Sequence, residues 1–175
     1  MNILTVIGGS GTGKTFLATR FHEDHPDIRF YRLDTIGVPS HEEMITKYGS
    51  GEAWQQAKTS EWIARIARDH AGDHWVLFEG QTRPQFVLDA YAKAGLSTSR
   101  IVCLWCNSET MHHRLITLRN QPHLCTPAMA NWCNHLRRWT SEIPDGVVVD
   151  TSGSDTQQNL FTFTSALENI MADSR

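Results

Sequence analysis

Short apolar runs rich in β-branched residues alternate along the chain with stretches of helical periodicity. Ile3-Leu4-Thr5-Val6-Ile7 reads as a buried strand, and a helix is expected from Lys14 to about Glu23. Further strands are expected at Ile28–Leu33, ending at Asp34; at Trp75–Phe78, ending at Glu79; at Ile101–Trp105; and at Val147–Val149, ending at Asp150. Between the second and third of these the pattern turns helical. Ser40 and Glu43 form a capping-box pair after Pro39. Gly49-Ser50-Gly51 interrupts that helix, and a longer one follows from about Glu52 to His70, with Trp54, Ala57, Ile63, Ile66 and Ala67 available to pack. A helix carrying Met111, Leu115 and Leu118 follows the fourth strand and gives way to the polar break Arg119-Asn120-Gln121-Pro122-His123. Thr126-Pro127 then supplies an N-cap and a first-turn proline. The helix it opens has one apolar face, made of Met129, Trp132, Cys133, Leu136 and Trp139/Thr140. A last helix spans about Thr156 to Met171. Strands that alternate with helices specify an α/β architecture, a parallel sheet covered by helices.

Length adds that 175 residues make one good core and leave no room for two comfortable domains, so a single domain over 1–175 is expected. A net charge of -3 supplies no general basic field, so neither nucleic acid nor an anionic membrane surface is expected as partner. No stretch approaches the roughly 18 apolar residues of a membrane helix, and the first apolar run is too short for a signal-peptide core. A cytoplasmic location is expected. Cys103, Cys106, Cys125 and Cys133 are then read as thiols.

The chemistry lies between the first strand and its helix. Gly8-Gly9-Ser10-Gly11-Thr12-Gly13-Lys14-Thr15 has the spacing Gly, four residues, Gly-Lys-Thr. Glycines let successive backbone N–H groups approach phosphate oxygens without a Cβ in the way, and the following helix adds the positive end of its dipole. Lys14 is expected to reach the β- and γ-phosphates of ATP, and the Thr15 hydroxyl to ligate Mg²⁺. Phosphoryl transfer on such a loop needs an acid near the metal at the end of a neighbouring strand, and Asp34, Glu79 and Asp150 each end one.

Glu79-Gly80-Gln81-Thr82-Arg83-Pro84 resembles the Asp-Gly-Phe-Pro-Arg segment of adenylate kinases, with acid, glycine and arginine in the same order. Arg114 and Arg119 follow the fourth strand as the arginines before the lid do in that family, and Arg137 and Arg138 stand where second lid arginines are found. The whole chain looks like a small kinase of the nucleoside monophosphate kinase and shikimate kinase group. The resemblance implies a three-layer P-loop fold with a five-stranded parallel sheet in order 2-3-1-4-5, an acceptor-binding insert at about 37–71 and a mobile lid at about 119–127. It implies that Glu79 acts at the metal through water, that Arg83 grips the acceptor, and that Arg114 and Arg119 attend the nucleotide. The insert lacks the threonine-glycine and arginine pattern with which adenylate kinases hold the AMP phosphate, which points to an acceptor without one. Asp34 fits the position of the aspartate that binds acceptor hydroxyls in shikimate kinases, and a carboxylate there would orient the accepting hydroxyl and take its proton as the bond forms.

Trp54-Gln55 is open to two readings, a face and an amide for a planar base or a core indole beside a surface amide. His123, Cys125, Cys133 and His135 do not have zinc spacing, since Cys133 and His135 point apart on one helix. The Cys103/Cys106 pair lies in or just after a buried strand, where redox motifs of that spacing do not sit. The function expected is an ATP-dependent, Mg²⁺-requiring kinase acting on a small acceptor such as a nucleoside, nucleotide or related polar metabolite. Lys14, Asp34 and Arg119 would be the catalytic groups. Two alternatives stand beside it: an ATP-binding regulatory module that signals nucleotide state to a protein partner, and an antibiotic- or toxin-modifying kinase.

Overall fold

The computed structural model describes residues 1–97 and 99–173. Five parallel strands, β1 (Asn2–Ile7), β2 (Arg29–Arg32), β3 (Trp75–Glu79), β4 (Arg100–Trp105) and β5 (Val147–Asp150), form one sheet in the order β2-β3-β1-β4-β5. This is the order that the resemblance implied. Alternation along the central strands sends side chains to two separate cores. Ile3, Ile7, Val76, Phe78, Ile101 and Cys103 face one layer. Leu4, Val6, Leu77, Val102, Leu104 and Val149 face the other. The first layer is closed by α3 (Gly51–Asp69), α4 (Pro84–Ala94) and α6 (Pro127–Ser141), through Ile63, Val87 and Leu136. The second is closed by α1 (Lys14–Asp24) and α7 (Thr156–Asp173), through Leu17, Phe21, Phe163 and Leu167. Thr5, the fully buried polar residue of β1, bonds the Tyr91 hydroxyl, which also donates toward the Ile3 and Arg100 carbonyls.

Three local features differ from the expected elements, each for an identifiable reason. β2 stops at Arg32, and a 3₁₀ turn, Leu33–Ile36, carries Asp34 beyond it. Arg32 pairs with Glu79, the last residue of β3, so the edge strand has no partner to extend along. The helix α4, absent from the elements expected, begins with Pro84 in its first turn and stops at Gly95 with φ 70°, the usual asymmetry of helix ends. Beyond α5 (Ser108–His113) the helix widens into a π turn, Arg114–Leu118. The wider turn swings Leu118 off the apolar face that buries Met111 and Leu115, leaving it 70% exposed.

The insert divides into two unequal parts. α2 (His41–Tyr48) is held at its start by the expected capping box, with Ser40 Oγ accepting from the Glu43 N–H and Glu43 accepting from the Ser40 N–H, yet it buries nothing. α3, capped by Ser50 on the Ala53 N–H, buries Trp54, Trp62, Ile63 and Ile66. α3 is therefore part of the core and α2 a projection from it. Ile63→Ala is expected to cost about 2–5 kcal/mol, as for other fully buried aliphatic truncations. Ile45→Ala on half-exposed α2 should stay within about 0.5 kcal/mol. Urea unfolding of the two variants checks this, and equal losses would contradict the division.

Candidate functional site

The chain leaves β1 at Ile7, runs through the glycine loop and enters α1 at Lys14. Gly13 adopts φ 90° and ψ 6° immediately before the helix, a conformation that disfavours any side chain, and no side chain caps the helix start. Gly9 is needed for another reason: a Cβ there would overlap the Cys133 sulfur on α6. The loop is braced from outside. Thr12 Oγ1 donates to Gly9 O (2.9 Å), and Thr151, just after β5, donates to Thr12 O (3.0 Å). Arg114 ties the loop to the β5–α7 connection, donating to Gly11 O (3.4 Å), Thr151 O (2.6 Å) and Gly153 O (3.5 Å).

Lys14 is half-buried, with its ammonium turned onto the Gly9 carbonyl at 3.1 Å. Loss of water around that ammonium pushes its pKa down, and the nearby Glu79 charge does not fully restore it. Glu79 is 4% exposed, and the same desolvation pushes its carboxyl pKa up, with Asp34 adding to the rise and Lys14 and Arg32 opposing it. Thr15 Oγ1 stands 3.3 Å from both Glu79 oxygens. A hydroxyl next to a buried carboxylate is the oxygen donor set of a hard divalent cation. An ammonium with one carbonyl partner has donors left for phosphate oxygens. The residues present therefore fit Mg²⁺ and a polyphosphate.

A cavity of about 770 Å³ opens in front of this group. Gly11, Thr12, Gly13, Lys14 and Thr15 line its floor, Arg32 and Asp34 one side, and Arg114 and Arg119 the other. Half-exposed Phe16 and exposed Leu118 add an apolar rim, a pairing that no sequence spacing announced. Gly8, Gly9 and Ser10 form the stem of the loop and Glu79 stands behind Thr15, so neither lines the cavity directly.

The remaining expected site residues lie elsewhere. Trp54 is 7% exposed and belongs to the packing of α3, which removes its face from any ligand. Gln55 is tied down at both ends, donating to Gln81 O (2.8 Å) and accepting from Arg83 (2.9 Å). Arg83 also pairs with Glu52 (3.0 Å), and its guanidinium lies between the Trp132 and Phe86 rings at 4.9 and 5.3 Å. Arg137 lies over the Trp105 ring at 4.3 Å and is not among the residues lining the cavity. Sequence reasoning passed over Arg32, whose guanidinium stands beside both Asp34 (3.2 Å) and Glu79 (3.5 Å). The only signal was register, since Arg32 is the residue paired with Glu79 across the sheet.

No protein-family model and no curated protein sequence matches the chain. Solved structures do. A sugar kinase from Janibacter sp. HTCC2649 superposes with a TM-score of 0.66 at 17% identity, covering 98% of this chain and 97% of that one. A shikimate kinase from Bacteroides thetaiotaomicron gives 0.65 at 13%, covering 98% of each, and a gluconokinase from Sinorhizobium meliloti 1021 gives 0.64 at 15%, covering 98% and 94%. The chain has the α/β fold of the small P-loop kinases in the adenylate kinase-like group.

The direction of the Lys14 shift yields a prediction. A lysine whose folded pKa lies below its unfolded value destabilises the fold at every pH where the unfolded lysine is charged. The handicap is full below the folded pKa, fades as pH rises from the folded toward the unfolded value, and is gone above it. Lys14→Met should therefore raise the Tm of the ligand-free protein at neutral pH, or at least not lower it. Nucleotide addition, which stabilises a binder by RT ln(1 + [L]/Kd), should no longer shift it. Thermal scans with and without ATP read both effects, and a Met variant that melts lower yet still responds to ATP would refute the site.

Proposed function

We propose that the chain is an ATP-dependent kinase that transfers the γ-phosphoryl group to a hydroxyl of a small polyhydroxylated acceptor. The observation that carries this reading is Asp34, a carboxylate on the wall of the phosphate-loop cavity that stands apart from the Thr15–Glu79 pair. Lys14, Thr15 and the loop N–H groups would hold the β- and γ-phosphates, and Mg²⁺, held by Thr15 and through water by Glu79, would neutralise their charge. Arg119 faces the same cavity and is the donor for charge developing on the transferring group. Asp34 would accept the acceptor's hydroxyl proton as the new O–P bond forms and the bond from the γ-phosphorus to the β–γ bridging oxygen breaks, releasing ADP.

Two features support a hydroxyl-rich acceptor over a nucleoside or an anion. Burial of Trp54 takes away the face that one reading offered to a base. Arg83 is already balanced by Glu52 and Gln55, and Arg32 by Asp34, so neither arginine is free to hold an acceptor phosphate. The similar structures named as sugar kinase, gluconokinase and shikimate kinase agree in kind.

Asp34→Asn is the decisive variant. ATP affinity should stay near wild type because the phosphate loop is untouched. Acceptor-dependent ADP release from a panel of sugars, sugar acids, polyols and nucleosides should fall about 10²–10⁴-fold. Basal ATP hydrolysis should fall much less. Equal loss of binding and transfer would remove Asp34 from the chemistry, and ATP binding with no acceptor in the panel would favour a regulatory module.

Arg119→Ala separates a second role. Turnover should drop by roughly 10²–10³-fold with little change in ATP affinity, the behaviour of a donor to transition-state charge. Parallel losses in both quantities would make Arg119 a ground-state contact only.

A further inference from the structure

The end of β2 places a cation where the proposed chemistry needs access to a carboxylate. Register pairs Arg32 with Glu79, so both side chains leave the sheet at its carboxyl edge. Arg32 Nη2 donates to Asp34 Oδ2 at 3.2 Å, while its Nε lies 3.5 Å from Glu79 Oε2. That Nε is sealed from water and has no hydrogen-bond partner, so the contact with Glu79 is an ion pair without a formed hydrogen bond. Lys14 flanks Glu79 from the phosphate loop and Thr15 stands on its other side. Glu79 thus has the cationic side chains of Arg32 and Lys14 and the Thr15 hydroxyl around it, and Arg32 alone is shared with a second carboxylate.

We propose that Arg32 is the resident counter-cation of Glu79 and competes with the divalent metal for that carboxylate. This rests on the nucleotide reading given above. In the ligand-free protein the guanidinium shields Glu79 and Asp34 from each other. When metal arrives with the nucleotide, two cations cannot share the buried carboxylate without repulsion, and the loosely held Nε contact is the one that yields. Arg32 then keeps its Nη2 bond to Asp34 and becomes a positioning residue for the acceptor-side carboxylate. Glu79 stays neutralised until the metal–nucleotide complex occupies the loop, which makes metal binding conditional on nucleotide.

The test uses ADP as probe, with its Kd measured by calorimetry in EDTA and again in saturating Mg²⁺. Arg32→Gln should tighten the Mg²⁺-state Kd about 3–10-fold, the effect of removing one partly exposed competing charge, and leave the EDTA Kd unchanged. Arg32→Lys retains the charge and should keep the wild-type ratio of the two values. A merely structural role, or a direct phosphate contact by Arg32, would instead weaken binding in both conditions, and either result overturns the proposal. An unchanged Mg²⁺-state Kd overturns it as well. Arg32→Met carries the same test if Arg32→Gln folds poorly. Wild-type protein with no ADP affinity in either condition removes the nucleotide reading and this inference together, whereas failure of the Arg32→Gln shift in a protein that binds ADP removes this inference alone.

Discussion

A lysine ammonium drawn out of water and left with one carbonyl partner is the constraint around which the site is organised. Such a charge is costly unless anionic oxygens complete its shell. The ligand-free fold meets that need only in part, with Glu79 placed on the adjacent strand but itself desolvated. The strand order puts β1 between β3 and β4, so the loop after β1 necessarily opens between the acid of one neighbour and the helices that follow the other. The bracing by Arg114 and Thr151 fixes the loop carbonyls. The open valence at the centre is thereby preserved and does not collapse into a self-satisfied turn.

The site was legible in the sequence to the extent that local spacing determines geometry. Gly8 to Thr15 could be placed because a strand, a glycine turn and a helix start are contiguous, and the same holds for the Ser40 and Thr126 caps. Strand-end position left Asp34, Glu79 and Asp150 open, and the acid-glycine-arginine resemblance singled out Glu79, which ends the strand beside β1. Arg32 could not be placed, because its neighbour is set by the pairing of β2 with β3 across more than forty intervening residues. Trp54 read more readily as core than as a stacking platform, because an indole buries so much area, and the packing of α3 against α4 agrees. Helix α4 was legible only in its end signals, Pro84 in the first turn and Gly95 just past the end, and was absent from the elements expected.

Arg83 and Arg32 each already have an anion. Arg83 is gripped by Glu52 and Gln55 and flanked by two aromatic rings, and Arg32 lies between two carboxylates. Pre-paired arginines of this kind are held in place by internal bonds. A ligand with a full negative charge would have to displace an internal carboxylate to gain either of these two arginines.

The π turn at Arg114–Leu118 has an evolutionary consequence. Its defining bond, from the Arg119 N–H to the Arg114 carbonyl, spans five residues where an α-helix spans four. Such a turn is equivalent to a one-residue insertion in an ordinary helix. The wider turn absorbs that extra residue, so loss of one residue there would restore α geometry and leave the segments on either side close to their present facing. Arg114 and Arg119 would then stand one α turn apart instead of one π turn. A lineage that drops a residue here could therefore keep both arginines on the cavity, and the length of this helix is free to vary by one without loss of the site.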